Sequence, residues 1–143
     1  MKLSNNFTLD ELTVTDTGLF NTPNAEHLAN LVKLADTLEK VRAVLGGKPI
    51  KINSGYRSVD VNKTVGGARA SAHLTGMAAD FVCPGFGSPL EVCQAVKEAG
   101  ITLDQLIHEH GRWVHIGINQ SPRMQYLTID KQGTRTGLLE ARL

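Results

Sequence analysis

The sequence predicts an α+β fold. Three observations carry that expectation: a long amphipathic helical pattern over residues 22–47, a second, capped helical pattern over 88–100, and short β-rich runs between and after them that end in a hairpin-like stretch. The order is helix, strand, loop, strand, helix, strands. No repeat interrupts it and no linker is long enough to divide it, so residues 1–143 read as one domain, with a loosely ordered tail from about residue 131. A chain of this length buries a core without covalent staples.

The first helix is expected to be capped by Thr22 with Pro23 in its first turn, and to end at Gly46 and Gly47. Leu28, Leu31, Val32, Ala35, Leu38, Val41 and Leu45 form its apolar face. "KPIKINSGYRS" follows as a short strand with Ile50 and Ile52 on one side, running into a turn. "VDVNKTVGGARASAHLTG" has no sustained period and reads as a long structured loop with one helical turn; loops of that length in small domains are usually functional. "MAADFVC" reads as a strand. Ser88 and Glu91 form a capping box for the second helix, with Pro89 in its first turn and Gly100 at its end. "LDQLIHEHGRWVHIGI" is expected to be a hairpin turning at Gly111-Arg112, and "MQYLTID" a last strand.

Composition removes several classes of function. The net charge is +1, with no basic stripe for nucleic acid and no acidic tail. No apolar run approaches the roughly 18 residues of a membrane span. The N-terminal "MKLSNNFTLDELT" lacks the apolar core of a signal peptide, so none is expected. Cys83 and Cys93 suit a reduced protein better than a disulfide scaffold, although a bridge between them stays open. A monomer is the expected state.

The chemistry lies in "SAHLTGMAADF", residues 71–81, and "RWVHIGI", residues 112–118. Asp80 enters an apolar strand, where an unpaired carboxylate is expensive. With His73 and His115 it offers two imidazoles and one carboxylate, a familiar zinc set that leaves a fourth position open. The spacing alone is no local chelate motif, and a core histidine bonded to a carboxylate is the blander alternative.

"SGYRS" at 54–58, "SAHLTGMAADF" at 71–81 and "WVHIGI" at 113–118 together resemble the zinc D-Ala-D-Ala carboxypeptidase family of peptidoglycan peptidases. With the opening "LSNNFTLDELTVTDTGLFNTP" they resemble more narrowly its compact branch of phage and prophage endolysins. The resemblance implies a small, mostly antiparallel sheet flanked by helices, with a single zinc ion on the open face of the sheet. It gives the ligand roles to His73, Asp80 and His115. It assigns Arg57 to the substrate carbonyl or carboxylate, a task suited to a planar fork, and Ser71 to a hydroxyl contact with substrate. The bland readings are a surface arginine after a turn and a loop serine.

Peptide hydrolysis also needs a base to take a proton from the attacking water and return one to the leaving amine. Many members of the family carry an acid three residues before the last histidine, where this chain has Arg112. Glu109, a position where the phage branch commonly shows an acid, is the expected base, with His110 as the alternative. A two-residue turn would point Glu109 away from His115; a Gly111-Arg112-Trp113 loop would set it opposite. Trp113 is read as a wall of the cleft, His27 as solvated, Asp104 as a capping or orienting group for the hairpin, and His108 as either a cleft or a surface residue.

The resemblance therefore implies a zinc peptidase that cuts the stem or cross-link peptides of bacterial peptidoglycan, an endopeptidase held in the host cytoplasm until a membrane lesion releases it to the wall. Two alternatives stay open: carboxypeptidase or dipeptidase action by the same site, and a zinc-holding but inactive wall-binding or virion protein.

Overall fold

The computed structural model describes residues 1–143. It has the expected α+β class. Helices α1 (Leu9–Leu12), α2 (Ala25–Val44), α3 (Val59–Thr64) and α4 (Pro89–Glu98) accompany strands β1 (Lys51–Ser54), β2 (Ala78–Val82), β3 (Gln105–Glu109), β4 (Trp113–Gly117), β5 (Gln125–Asp130) and β6 (Gly133–Thr136). The strands form one sheet in the order β1-β2-β4-β3-β5-β6, and every pairing is antiparallel except β3 with β5. No helix is long and apolar enough to cross a membrane.

Strand alternation separates two chemistries. Ala79 and Phe81 of β2, Leu106 of β3, and Val114 and Ile116 of β4 join the apolar core with Leu31, Leu34, Leu38 and Val41 of α2 and Val92, Cys93 and Val96 of α4. Asp80, Ile107, Glu109, Trp113 and His115 therefore stand on the other face, away from those helices. Both cysteines are buried and free.

The first long helix differs in detail from its expected form. Asn24, not Thr22, is the N-cap, its side chain accepting from the His27 amide, so Pro23 precedes the helix. Leu34 is fully buried whereas Val32 is 40% exposed. The buried stripe runs 31, 34, 35, 38, 41, 45, a spacing that Leu34 satisfies and Val32 does not. His27 is half-buried against Tyr56, 5.3 Å between rings, rather than solvated. The loop over 59–76 holds two helical pieces, α3 and a 3-10 turn over Ala72–Thr75, where one turn is expected from the sequence.

Two further expectations need correction. The hairpin pairs Glu109 with Trp113 and Ile107 with His115, so its loop is the three residues His110, Gly111 and Arg112 rather than a turn at Gly111-Arg112. His110 and Gly111 both take positive φ, 55° and 68°. The tail from Lys131 is also ordered, and it is held by polar groups. Thr128 Oγ1 donates to Gly137 O (2.8 Å) and accepts from Leu139 N (2.9 Å), His108 Nδ1 lies 2.9 Å from Leu139 O, and Asp130 Oδ2 accepts from Arg142 N (2.8 Å). Thr128, His108 and Asp130 are buried, so the tail backbone is what satisfies them. His108 accordingly lies neither in the cleft nor on the surface.

Candidate metal centre

Three elements deliver the candidate ligand set. Asp80 and His115 are direct Cα partners in the β2–β4 ladder, and parity puts both on the open face. His73 comes from the 3-10 turn that leads into β2; Ser71 caps that turn, its hydroxyl accepting from His73 N at 3.2 Å. The ligand atoms of His73, Asp80 and His115 lie within 4.8 Å of one another, and all three residues are buried.

The ring nitrogens are differentiated. His73 Nδ1 is 2.7 Å from the Gly55 carbonyl, and that oxygen can only accept, so Nδ1–H donates there and Nε2 is the ring nitrogen left to face the cluster. Nε2 points at Asp80 Oδ1, 3.3 Å away; His115 presents Nδ1 to the same oxygen at 2.9 Å. An imidazole anchored through its Nδ1, a second imidazole and a carboxylate around one point fit a zinc ion. Gly55 is required for this arrangement, because a Cβ there would run into the Leu12 backbone; the glycine lets α1 pack against the turn after β1.

Asp80 is compensated more fully than the sequence suggests. Its Oδ2 accepts from Arg57 Nη2 at 3.2 Å while Oδ1 faces the two histidines. Burial pushes this carboxyl up, but hydrogen bonds and charge from His115 and His73 outweigh that and hold it well below the usual carboxylate range. Arg57 is itself clamped: Nε donates to Ser54 Oγ (2.9 Å) and Nη1 to Asn62 Oδ1 (3.3 Å). Asn62 is buried and sends its own Nδ2 to Ala68 O at 2.9 Å, which ties Arg57 to the loop wall of the cleft. Gly67 lies so close to the Asn62 side chain that any Cβ there would collide with it. The clamp escapes sequence reasoning: Ser54 is visible only as the first residue of the "SGYRS" motif, with no role attached, and an asparagine in a short helix carries no distinguishing pattern.

His73, Asp80, His115, Arg57, Ser71 and Glu109 all line one cleft of about 930 Å³, with His110 and Trp113 at its hairpin end. Glu109 Oε1 is 3.9 Å from His115 Nδ1. Burial, and then the nearby Asp80 charge, pushes Glu109 up from its ordinary value. The three-residue loop achieves this placement by neither register weighed from the sequence: Glu109 sits diagonally from His115 on the same face. His110 belongs to the loop, its ring 5.3 Å from that of Trp113. Asp104, buried at the start of β3, holds Arg123 through Nε (2.9 Å) and Nη2 (2.8 Å) and so anchors the loop after β4 rather than the hairpin.

Against known families, the model of Peptidase M15 matches residues 5–117, a span that contains every one of these cleft side chains except those after β4. The chain belongs to the Peptidase M15 family. It is also similar to the zinc D-Ala-D-Ala carboxypeptidase of Streptomyces albus G, 41% identical over 76 residues. That match covers 52% of this chain and 29% of the relative, so the M15 chain spans less than a third of the relative's length in the matched region. Family and relative imply zinc, and the His73, Asp80, His115 cluster is where this fold offers a site for it.

Proposed function

We propose that this chain is a peptidoglycan endopeptidase in which His73 Nε2, His115 Nδ1 and the Asp80 carboxylate hold one zinc ion. When bound there, zinc supplies Lewis acidity to the scissile carbonyl and to the attacking water. Glu109 takes the proton from that water and returns one to the leaving amine, a role supported by its place beside His115 and by a raised proton affinity. Arg57 uses three of its five N–H groups on Ser54, Asn62 and Asp80, leaving two to orient a substrate oxygen. The Ser71 hydroxyl accepts from the His73 amide and keeps its own proton to donate to the substrate backbone.

The observation that carries the reading is the cluster itself: two imidazoles and a carboxylate, buried at the floor of an open cleft, with a carboxylic acid alongside. The preference for internal bonds rests on the run of the cleft along β4. Its lining extends from Trp113, two residues before His115, to Asn119, four residues after it. The four strand steps from Trp113 to Gly117 are about 13 Å and the chain continues past them to Asn119, room for a peptide on both sides of the metal site. The similarity of residues 3–23 to the phage branch supports a lysis role.

The test is hydrolysis of purified peptidoglycan by native protein, chelator-treated protein and chelator-treated protein given zinc, with mass spectrometry of the fragments. Release of internal cross-link fragments that disappears with the chelator and returns with zinc supports the reading. Release of terminal D-alanine alone would turn it to a carboxypeptidase. Zinc retained without any release would leave a wall-binding domain.

A further inference from the structure

A second groove opens off the metal-site cleft at the end of β4. The two share Met77, Ile118 and Asn119, and the floor at their junction is fixed by Ile118 N donating to Met77 O at 2.8 Å. The groove, about 320 Å³, runs along α2, whose Asn30, Lys33, Thr37 and Lys40 form one side of it. These positions are three or four residues apart, so they make a single stripe on the helix, with the two lysine stems about 10 Å apart along its axis. Asn30 anchors the head of the stripe to the catalytic region: it is buried, and its Nδ2 donates to the Thr75 carbonyl in the turn that carries His73.

The charge is one-sided. No aspartate or glutamate lines the groove, and neither lysine takes part in an ion pair. Of the three acids in the main cleft, Asp80 is engaged with Arg57 and the histidines and Asp104 with Arg123, while Glu109 stands beside His115 at 3.9 Å. A pair of unpartnered cations in a polar recess continuous with a peptide cleft selects for an anion on the same peptide.

We propose that the Lys33–Lys40 groove is a distal substrate subsite that binds a free carboxylate of the peptide being cleaved. Asn119 lies four residues after His115, two within β4 and two beyond its end, at most about 13 Å of extended chain, so the carboxylate belongs to a residue no more than three or four positions from the scissile bond. The proposal rests on the peptidase reading for its substrate, and it adds a selection that the metal cluster cannot make: peptides with that carboxyl free are preferred over peptides with it amidated.

The experiment uses the zinc-loaded full chain and a K33Q/K40Q double variant; both positions are exposed and glutamine suits a helix. Two synthetic cross-link peptides, identical except that the distal carboxyl is free or amidated, are compared for cleavage. Wild type is expected to show a KM lower by on the order of 3- to 10-fold for the free carboxylate, with kcat unchanged, an advantage that shrinks at high salt and vanishes in the double variant. An equal KM for both peptides in wild type, or a preference that survives in the double variant, would overturn the subsite. Binding of both peptides is followed in parallel by calorimetry. If neither peptide is cut but the carboxylate preference in binding is lost with the lysines, the peptidase reading fails and the subsite stands; if binding shows no such preference, the subsite fails whatever the cleavage result.

Discussion

Asp80 and His115 face each other across β2 and β4 as direct ladder partners, Asp80 Oδ1 2.9 Å from His115 Nδ1. The ladder register is therefore part of the site: a slip of β2 by one residue against β4 would turn Asp80 into the core, bring Ala79 or Phe81 to the open face and leave His115 without its carboxylate. Replacing Asp80 by Ala is expected to remove zinc, from about one ion per chain to none by elemental analysis. It also strips Arg57 of its buried anion. Breaking a buried pair of this kind costs about 3–5 kcal/mol, so chemical denaturation of the metal-free variant should show a clear loss of stability.

Glu109 and His110 are neighbours in sequence with different surroundings, one on the strand beside His115 and one in the loop against Trp113. Glu109→Gln should lower kcat by about 10²- to 10⁴-fold while zinc content and fold are kept. His110→Ala should change kcat far less. The reverse pattern would make His110 the base.

Asn62 touches the cleft only through others, accepting from Arg57 and donating to Ala68. Asn62→Ala is expected to reduce kcat/KM on the order of 10-fold by releasing the guanidinium, with zinc retained. In an Arg57→Ala background the same change should add almost nothing, because both substitutions remove one positioned group. Additive losses would mean that Asn62 acts by another route.

The C-terminal strap has its own pH signature. The Arg142 backbone N–H and then the Arg135 guanidinium hold the Asp130 carboxyl down at about 2, against the opposing effect of burial. A depressed folded value means that this contribution is complete above the ordinary aspartate range and is lost as pH falls from about 4 through about 2. Melting temperature should fall across that window in wild type, and Asp130→Asn should flatten that part of the profile while lowering stability at neutral pH.

How much of this was legible in the sequence depends on what holds each part. The α4 capping box and the apolar β2 strand announce themselves through residue types at fixed spacing, and the structure has both as read; His73, Asp80 and His115, picked out by the family resemblance of their motifs, are brought together into one cluster. Leu34 and Val32 show the limit of pattern reading, since both are apolar and only the packed helix decides which one faces inward. The ordered tail was hidden for a different reason. Thr128, His108 and Asp130 bind it through backbone groups, and hydrogen bonds to main chain leave no apolar period to detect. The hairpin register turned on His110 adopting a positive φ, which a histidine does uncommonly. The parallel β3–β5 pairing and the Ser54–Arg57–Asn62 clamp join residues whose association only the tertiary fold creates.

The most direct measurement is the anomalous scattering of zinc in crystals of the full chain grown with one equivalent of the metal. The account predicts one strong peak at ligand distance, about 2.0–2.2 Å, from His73 Nε2, His115 Nδ1 and an Asp80 carboxylate oxygen. A peak elsewhere, or His73 bound through Nδ1 with its Gly55 contact broken, would contradict it.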